Sequence, residues 1–103
     1  MSNFKPACLL ADLPPGNVRW CSVEGRDLAL YNVAGEVFAS QDQCSHGSTS
    51  LSEGELDGYE IECPLHHGSF DIRTGAPVAL PCIKAIQVFP VKVESGEISV
   101  ALD

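Results

Sequence analysis

Positive charge, aromatic rings and long apolar runs are all scarce in this chain. Six Lys plus Arg stand against fourteen Asp plus Glu, a formal charge of −8. Such a field repels phosphate backbones and anionic membrane faces, so neither nucleic acid nor a membrane is an expected partner. The longest apolar stretch near the start, Ala7, Cys8, Leu9, Leu10 and Ala11, is too short for a signal core or a membrane span. Asp12 closes it without a cleavage-like sequence, and the cytoplasm is the expected compartment. Helical periodicity is missing too, apart from a weak segment at 9–13. The five cysteines are an odd number, which argues against a closed disulfide framework and, in a reducing compartment, toward metal.

What the chain does have is β-forming residues and turns. Its 103 residues suffice for one compact domain and not for two, so 1–103 is read as a single unit. Short runs rich in Val, Leu, Tyr and Phe at 18–23, 27–33 and 36–40 are broken by Glu24 with Gly25 and by Ala34 with Gly35. Residues 59–63 alternate, 83–93 form a longer β-rich run, and Ile98, Val100 and Leu102 share one face with Ser99 and Ala101 opposite. Ser95 with Gly96 signals a hairpin. Pro90 cannot donate to a ladder and belongs at an edge or a bend. The expected fold is all-β, short strands closing as a sandwich or barrel-like pair of packed antiparallel sheets.

Two segments, about 43–54 and 63–81, fit no strand pattern and are long for connections in so small a domain, which marks them as functional loops. They carry Cys44 and His46, a C-x-H pair, followed after sixteen residues by Cys63 and His66, a C-x-x-H pair. Thiolate is a soft donor and neutral imidazole a borderline one, so the set suits zinc or an iron–sulfur cluster and not the oxygen-seeking Mg or Ca. Zinc fingers usually place two Cys in one knuckle and two His in the other. Here each loop mixes the types, so a pair of irons can take both Cys on one and both His on the other, as in a Rieske centre.

Beyond those four residues, FASQDQ at 38–43, CSHG at 44–47, HHGSFD at 66–71, Thr74 with Gly75, and PVALP at 77–81 resemble the Rieske 2Fe-2S family over nearly the whole chain. Within it, the chain resembles the small ferredoxins of bacterial aromatic-ring-hydroxylating dioxygenase systems. The resemblance implies a Rieske-type fold with a small cluster-binding subdomain made of the two loops. Cys44 and Cys63 would hold the inner iron of one 2Fe-2S cluster, and His46 and His66 the outer iron near the tip. His67 lies one residue beyond the family spacing and is read as a neighbouring or exposed side chain. The family's role is a monomeric shuttle, not an enzyme: it passes one electron at a time from an NAD(P)H-dependent flavoprotein (FAD) reductase to a terminal Rieske oxygenase. Residues 77–81 resemble the family's proline loop, which would cover the cluster and exclude water without adding donors.

Departures from the wider family bear on potential. High-potential Rieske proteins carry a disulfide between the loops, where this chain has Thr49 and Leu65, and Ser and Tyr hydroxyls that donate to cluster and ligand sulfurs, where it has Gly68 and Phe70. Donors to sulfur favour the electron-rich reduced state, so their loss predicts a potential near the low end of the range, roughly −150 mV. That potential should fall with pH once the ligand imidazoles can deprotonate in the oxidised state.

Gly47 and Gly68 are read as turn glycines that also let backbone approach the cluster, and Gly75 as a turn glycine. Cys8, Cys21 and Cys82 are read as small buried hydrophobes, and Trp20, Tyr31 and Phe38 as core. The acidic stretch Glu53, Glu55, Asp57, Glu60 and Glu62 is either a solvated face or a steering surface for basic partners. Three rivals remain at this point. A structural Cys2His2 zinc module would be colourless. A nitrite-reductase small-subunit-like protein tolerates loss of ligands that are all present here. A piece of a larger oxygenase would need a mononuclear-iron triad that the chain, ending at Asp103, does not offer.

Overall fold

The computed structural model describes residues 3–102 except 46, 48, 65–67 and 81. Apart from two 3-10 turns, its regular elements are strands: β1 (Phe4–Leu9), β2 (Val18–Val23), β3 (Arg26–Val33), β4 (Glu36–Gln41), β5 (Glu55–Asp57), β6 (Glu60–Glu62), β7 (Ser69–Asp71), β8 (Pro77–Ala79), β9 (Val88–Phe89), β10 (Val91–Glu94) and β11 (Glu97–Ala101). They form three antiparallel sheets, not the expected two, in the orders β1-β11-β10, β2-β3-β4-β9 and β5-β6-β7-β8. Among the described residues no helix is long and apolar enough to cross a membrane.

Three of the expected turns are tight hairpins. Glu24 and Gly25, Ala34 and Gly35, and Ser95 and Gly96 all have positive φ. Two consecutive left-handed residues match the right-handed twist of the strands they join, and glycine in the second position removes half of the steric cost.

The middle of β3 is buried on both faces because period-two alternation sends its neighbouring side chains into different cores. Leu28 and Leu30 join Ile98 and Val100 of β11, with Val23, Ala39 and Phe89, in an aliphatic core. Ala29 and Tyr31 point the other way, into a second core with Ile61, Phe70 and Ile72 and with Cys44, Cys63 and Cys82. Buried Tyr31 hydrogen-bonds the Ser40 hydroxyl at 2.8 Å, which satisfies both groups. Its burial pushes the phenol well above its ordinary pKa.

Pro90 stands where the chain leaves one sheet for another: β9 pairs with β4, and β10 pairs with β11. The long run at 83–93 is therefore not one strand, and 83–87 pair with nothing as a strand. The weak 9–13 segment is a single 3-10 turn, Leu10–Asp12. Trp20 is not core. Cys21 and Val23 take the inward positions of β2, an edge strand, so Trp20 faces outward at 50% exposure, its indole N–H donating to Asp27 at 3.0 Å. Phe38 is half-buried edge-on to Tyr59. Ala101 is buried although its alternation suggested the outer face, and its N–H donates to the Pro90 carbonyl at 3.0 Å.

Candidate metal centre

The expected loops lie against the third sheet, and part of that sheet is built from them: β7 and β8 fall inside 63–81. This region is a four-stranded meander from which loops project, more than a pair of loops. Cys44 follows β4 by two intervening residues and Cys63 follows β6 directly. Both thiols are fully buried, at 1% and 0% exposure.

The first loop is pinned at its base by buried Asp42. Its backbone N–H donates to Asp27 at 3.1 Å, its carbonyl accepts Leu51 N–H at 2.6 Å, and its carboxylate accepts Ser52 N–H at 2.9 Å. Gln43 bridges Ser50, Cys44 N–H donates to Thr49 at 2.8 Å, and Gly47 N–H turns back on the Cys44 carbonyl at 3.3 Å. The second loop is closed by Cys63 N–H donating to the Gly68 carbonyl at 2.7 Å. Gly54 packs on the end of β6 so closely that a Cβ there would strike the Glu62 carbonyl, which brings the end of the first loop against the strand leading to the second.

Residues after β8 form a third wall. Gln41 fixes its far end: Gln41 N–H donates to the Gln87 carbonyl at 2.9 Å and its side chain accepts Gln87 N–H at 2.7 Å. Ile86 N–H donates to Gly75 at 2.9 Å, and Gly75, at φ 85°, leaves no room for a Cβ beneath the Ile86 carbonyl. Ser45 Oγ donates to the Lys84 carbonyl, so the wall is stitched to the Cys44 loop. Buried Cys82 turns from it into the same core as Cys44 and Cys63, while Leu80 and Ile83 on either side are 79% and 76% exposed.

Of the expected ligands, Cys44 and Cys63 come together in one core. His46 and His66 lie outside the described residues, as do His67, Leu65 and Pro81. Cys21 and Cys82 are buried as expected, whereas Cys8 is half-buried. Burial raises the pKa of Cys8 and Cys21, so both are thiols at neutral pH. Sequence reasoning missed the association of Cys82 with Cys44 and Cys63, and no local pattern signals it, because a connection of nonlocal loops creates it. Gly68 packs against Cys82 and the Ala79 carbonyl, and a Cβ at position 68 would collide with both.

The residues present fit a cluster with two sulfur ligands. Two thiols from separate loops are withdrawn from water into one apolar core, and the buried carboxylate at the base of the first loop, Asp42, is taken up by the Ser52 N–H, so the set suits a soft centre and not a hard cation. Among the described residues no three donor side chains form a metal site by themselves.

Comparison with known proteins agrees with this geometry. The family model described as "Rieske [2Fe-2S] domain" matches residues 3–90. The ferredoxin component of naphthalene 1,2-dioxygenase/salicylate 5-hydroxylase systems of a Ralstonia species is 42% identical over 101 residues, covering 98% of this chain and 97% of that protein. The ferredoxin of carbazole 1,9a-dioxygenase from Nocardioides aromaticivorans IC177 superposes with a TM-score of 0.94 at 38% identity, over 99% of this chain and 100% of that one. A chain in the complex of reduced oxygenase and oxidised ferredoxin of carbazole 1,9a-dioxygenase superposes at 0.90 with 42% identity, over 98% and 94%. With two buried thiols at adjoining loops and a family model spanning most of its length, the chain belongs to the Rieske [2Fe-2S] domain family, whose resident cofactor is a 2Fe-2S cluster.

Proposed function

We propose that this chain, acting as one unit over 1–103, is a one-electron carrier that receives electrons from an NAD(P)H-dependent flavoprotein reductase and delivers them to a terminal aromatic-ring-hydroxylating oxygenase. The observation that carries this reading is the near full-length likeness to proteins named as ferredoxin components of such systems, joined to a pair of thiols buried in one core. Cys44 and Cys63 hold one iron, and His46 and His66 the other. His67 stays outside the ligand set. The cluster supplies a one-electron store; no substrate is bound and no bond is made.

The chain's own residues set access and potential. Fully buried Cys44 and Cys63 keep water from the sulfur side. Exposed Leu80 and Ile83 offer an apolar rim, and Glu55, Asp57, Glu60 and Glu62 around a cleft of about 160 Å³ offer negative charge to a basic partner. Apolar rim contacts with electrostatic steering give quick, weak association, which suits a monomeric cytoplasmic shuttle with two successive partners. With Phe70 in place of a hydroxyl donor, the potential lies toward the low end of the Rieske range and falls at alkaline pH as the ligand imidazoles deprotonate.

The deciding experiment is visible absorption and low-temperature EPR of the dithionite-reduced protein, followed by reductase-dependent reduction of the oxygenase at increasing salt. A coloured protein with a mixed-ligand 2Fe-2S signal, and a rate that declines with ionic strength, is expected. A pale protein holding one divalent ion overturns the carrier reading, and a salt-independent rate overturns the steering. Film voltammetry well above zero would remove the low-potential assignment.

A further inference from the structure

Two of the five cysteines stand apart from the metal centre: Cys21 lies within the aliphatic core and half-buried Cys8 packs against it. They belong to β2 and β1, strands of different sheets. Side-chain contacts fix how those strands lie together. Lys5 pairs with Glu24 at 3.6 Å, and the Cys21 S–H donates to the Ala7 carbonyl at 2.9 Å, so residue numbers fall along β2 as they rise along β1. Three residues on from Lys5 and three back from Glu24 stand Cys8 and Cys21. The pairing of β1 with β11 slips between Pro6 and Cys8 and gives Ala7 no partner in that ladder. A bulge breaks the alternation of side chains, and here Ala7 and Cys8, neighbours in sequence, both pack against the core that holds Cys21. A peptide oxygen lies roughly 2.8 Å from the next Cα, which puts the Cys21 sulfur within about 6 Å of the Cys8 Cα. Burial first, then the Cys21 sulfur, push the Cys8 thiol above its ordinary pKa, with Arg19 opposing and Asp12 adding to them. The two sulfurs are near enough to feel each other.

We propose that Cys8 and Cys21 are a reversible oxidation site, where hydrogen peroxide converts the two thiols to a disulfide that clips the three-stranded sheet to the middle sheet. Cys8, the more exposed of the two, reacts first. Its sulfur attacks one peroxide oxygen, the O–O bond breaks, and the thiol proton leaves with the other oxygen as water. The Cys21 sulfur then attacks the sulfenic sulfur of Cys8, the S–O bond breaks, and the hydroxyl leaves with the Cys21 proton as a second water. Two thiols thus lose two electrons and one peroxide gains them; a dithiol reductant returns both thiols. Cys44, Cys63 and Cys82 lie in the other core, so the bond forms without drawing on the metal centre.

The test treats the holoprotein with hydrogen peroxide, blocks remaining thiols in mild acid, and maps tryptic peptides without reductant while a chromogenic chelator reports released metal. Cleavage after Arg19 and Arg26 places Cys8 and Cys21 on separate peptides, 1–19 and 20–26, with Cys44 and Cys63 on 27–73 and Cys82 on 74–84. The expected product joins 1–19 to 20–26, appears before metal is released, and vanishes on treatment with a dithiol. Closing a loop of this size should make the oxidised protein more resistant to denaturant, by on the order of a hundredfold in the unfolding equilibrium. Cys8→Ser, at a half-buried position, should show neither the linked peptides nor the gain. A sulfinic Cys8 beside an unmodified Cys21 overturns the proposal, as does a link between two copies of 1–19. A 1–19 to 20–26 link found only after metal release belongs to a collapsed chain and overturns it too, and an equal gain in Cys8→Ser assigns the effect to other thiols. The peptide map reads the same whatever metal the centre holds, so a failure of the electron-carrier reading is told apart from a failure of this one.

Discussion

The two cores on either side of the middle sheet solve different problems with the same strand. The core holding Leu28, Leu30, Ile98 and Val100 contains one thiol, Cys21, whose S–H donates to the Ala7 carbonyl at 2.9 Å, and is otherwise apolar. Opposite the shared middle sheet it is closed by β11, which pairs with β1 over five residue pairs and with β10 over four. The core holding Ala29, Tyr31, Ile61 and Phe70 contains three thiols and is walled by strands of three residues. Three-residue strands supply few ladder bonds and little apolar area, so this half depends on cross-links that the first half does not need. Metal–sulfur bonds are such cross-links.

Removing the iron should therefore separate the halves. In a chelated, reduced apoprotein, amide exchange around Ile61, Phe70 and Ile72 is expected to accelerate on the order of a hundredfold or more, while Leu28, Leu30, Ile98 and Val100 stay protected. Hydrogen exchange read by mass spectrometry checks this. Simultaneous loss of protection on both sides would mean one cooperative unit and erase the distinction.

The converse perturbation is Ile98→Ala. Ile98 is fully buried in the aliphatic core, so its truncation should cost about 2–5 kcal/mol in denaturant unfolding. The visible spectrum of the holoprotein should not change, since no residue of that core joins the core of Cys44 and Cys63. A bleached or shifted spectrum would show that the aliphatic half shapes the metal centre directly.

How readily each half was read from the sequence follows the same division. Hairpins at Glu24, Ala34 and Ser95 and the break at Pro90 were legible because turn chemistry and period-two alternation are local. Trp20 misled because alternation says which residues share a face but not which face a neighbour covers, and β2 is an edge. In the metal-binding half, β5, β7 and β8 escaped notice: three residues with Glu, Ser or Pro among them carry no readable period. That Cys44 and Cys63 belong together was legible from their spacing, since metal chemistry needs particular residue types at particular intervals, and the structure buries both in one core. The place of Cys82 in the same core was not, because it depends on the turn after β8 and on a glycine fourteen residues earlier.

Charge sharpens the contrast on a smaller scale. Glu55 faces Glu62, and Asp57 faces Glu60, across the β5–β6 hairpin. Like charges directly opposite destabilise a ladder, so Glu55→Gln should stabilise the metal-binding half by about 0.2–1 kcal/mol at low salt. Added salt should shrink the gain, and thermal melts of both proteins at two ionic strengths measure it. If the same variant also weakens the salt dependence of oxygenase reduction, the repulsion is retained for a partner's sake. An unaltered salt dependence would leave the hairpin as a solvated face.

The smallest effect is expected where the acidic half carries its own counter-charge. Arg73 makes a fork to Asp71 at 2.9 and 3.1 Å and lies 4.3 Å over the Tyr59 ring. The Arg73 hydrogen bond holds the Asp71 carboxyl below its usual range. A carboxyl whose folded pKa is depressed adds stability above its unfolded pKa and loses it as pH falls through the folded one. Arg73→Gln should therefore melt slightly below wild type at neutral pH, and the gap should narrow in acid as Asp71 takes up its proton. It should not close completely, because the guanidinium remains charged and keeps its contact with the Tyr59 ring at any pH where the protein is folded. A gap that is constant from neutral to acid pH would assign the whole effect to the ring and none to the carboxylate.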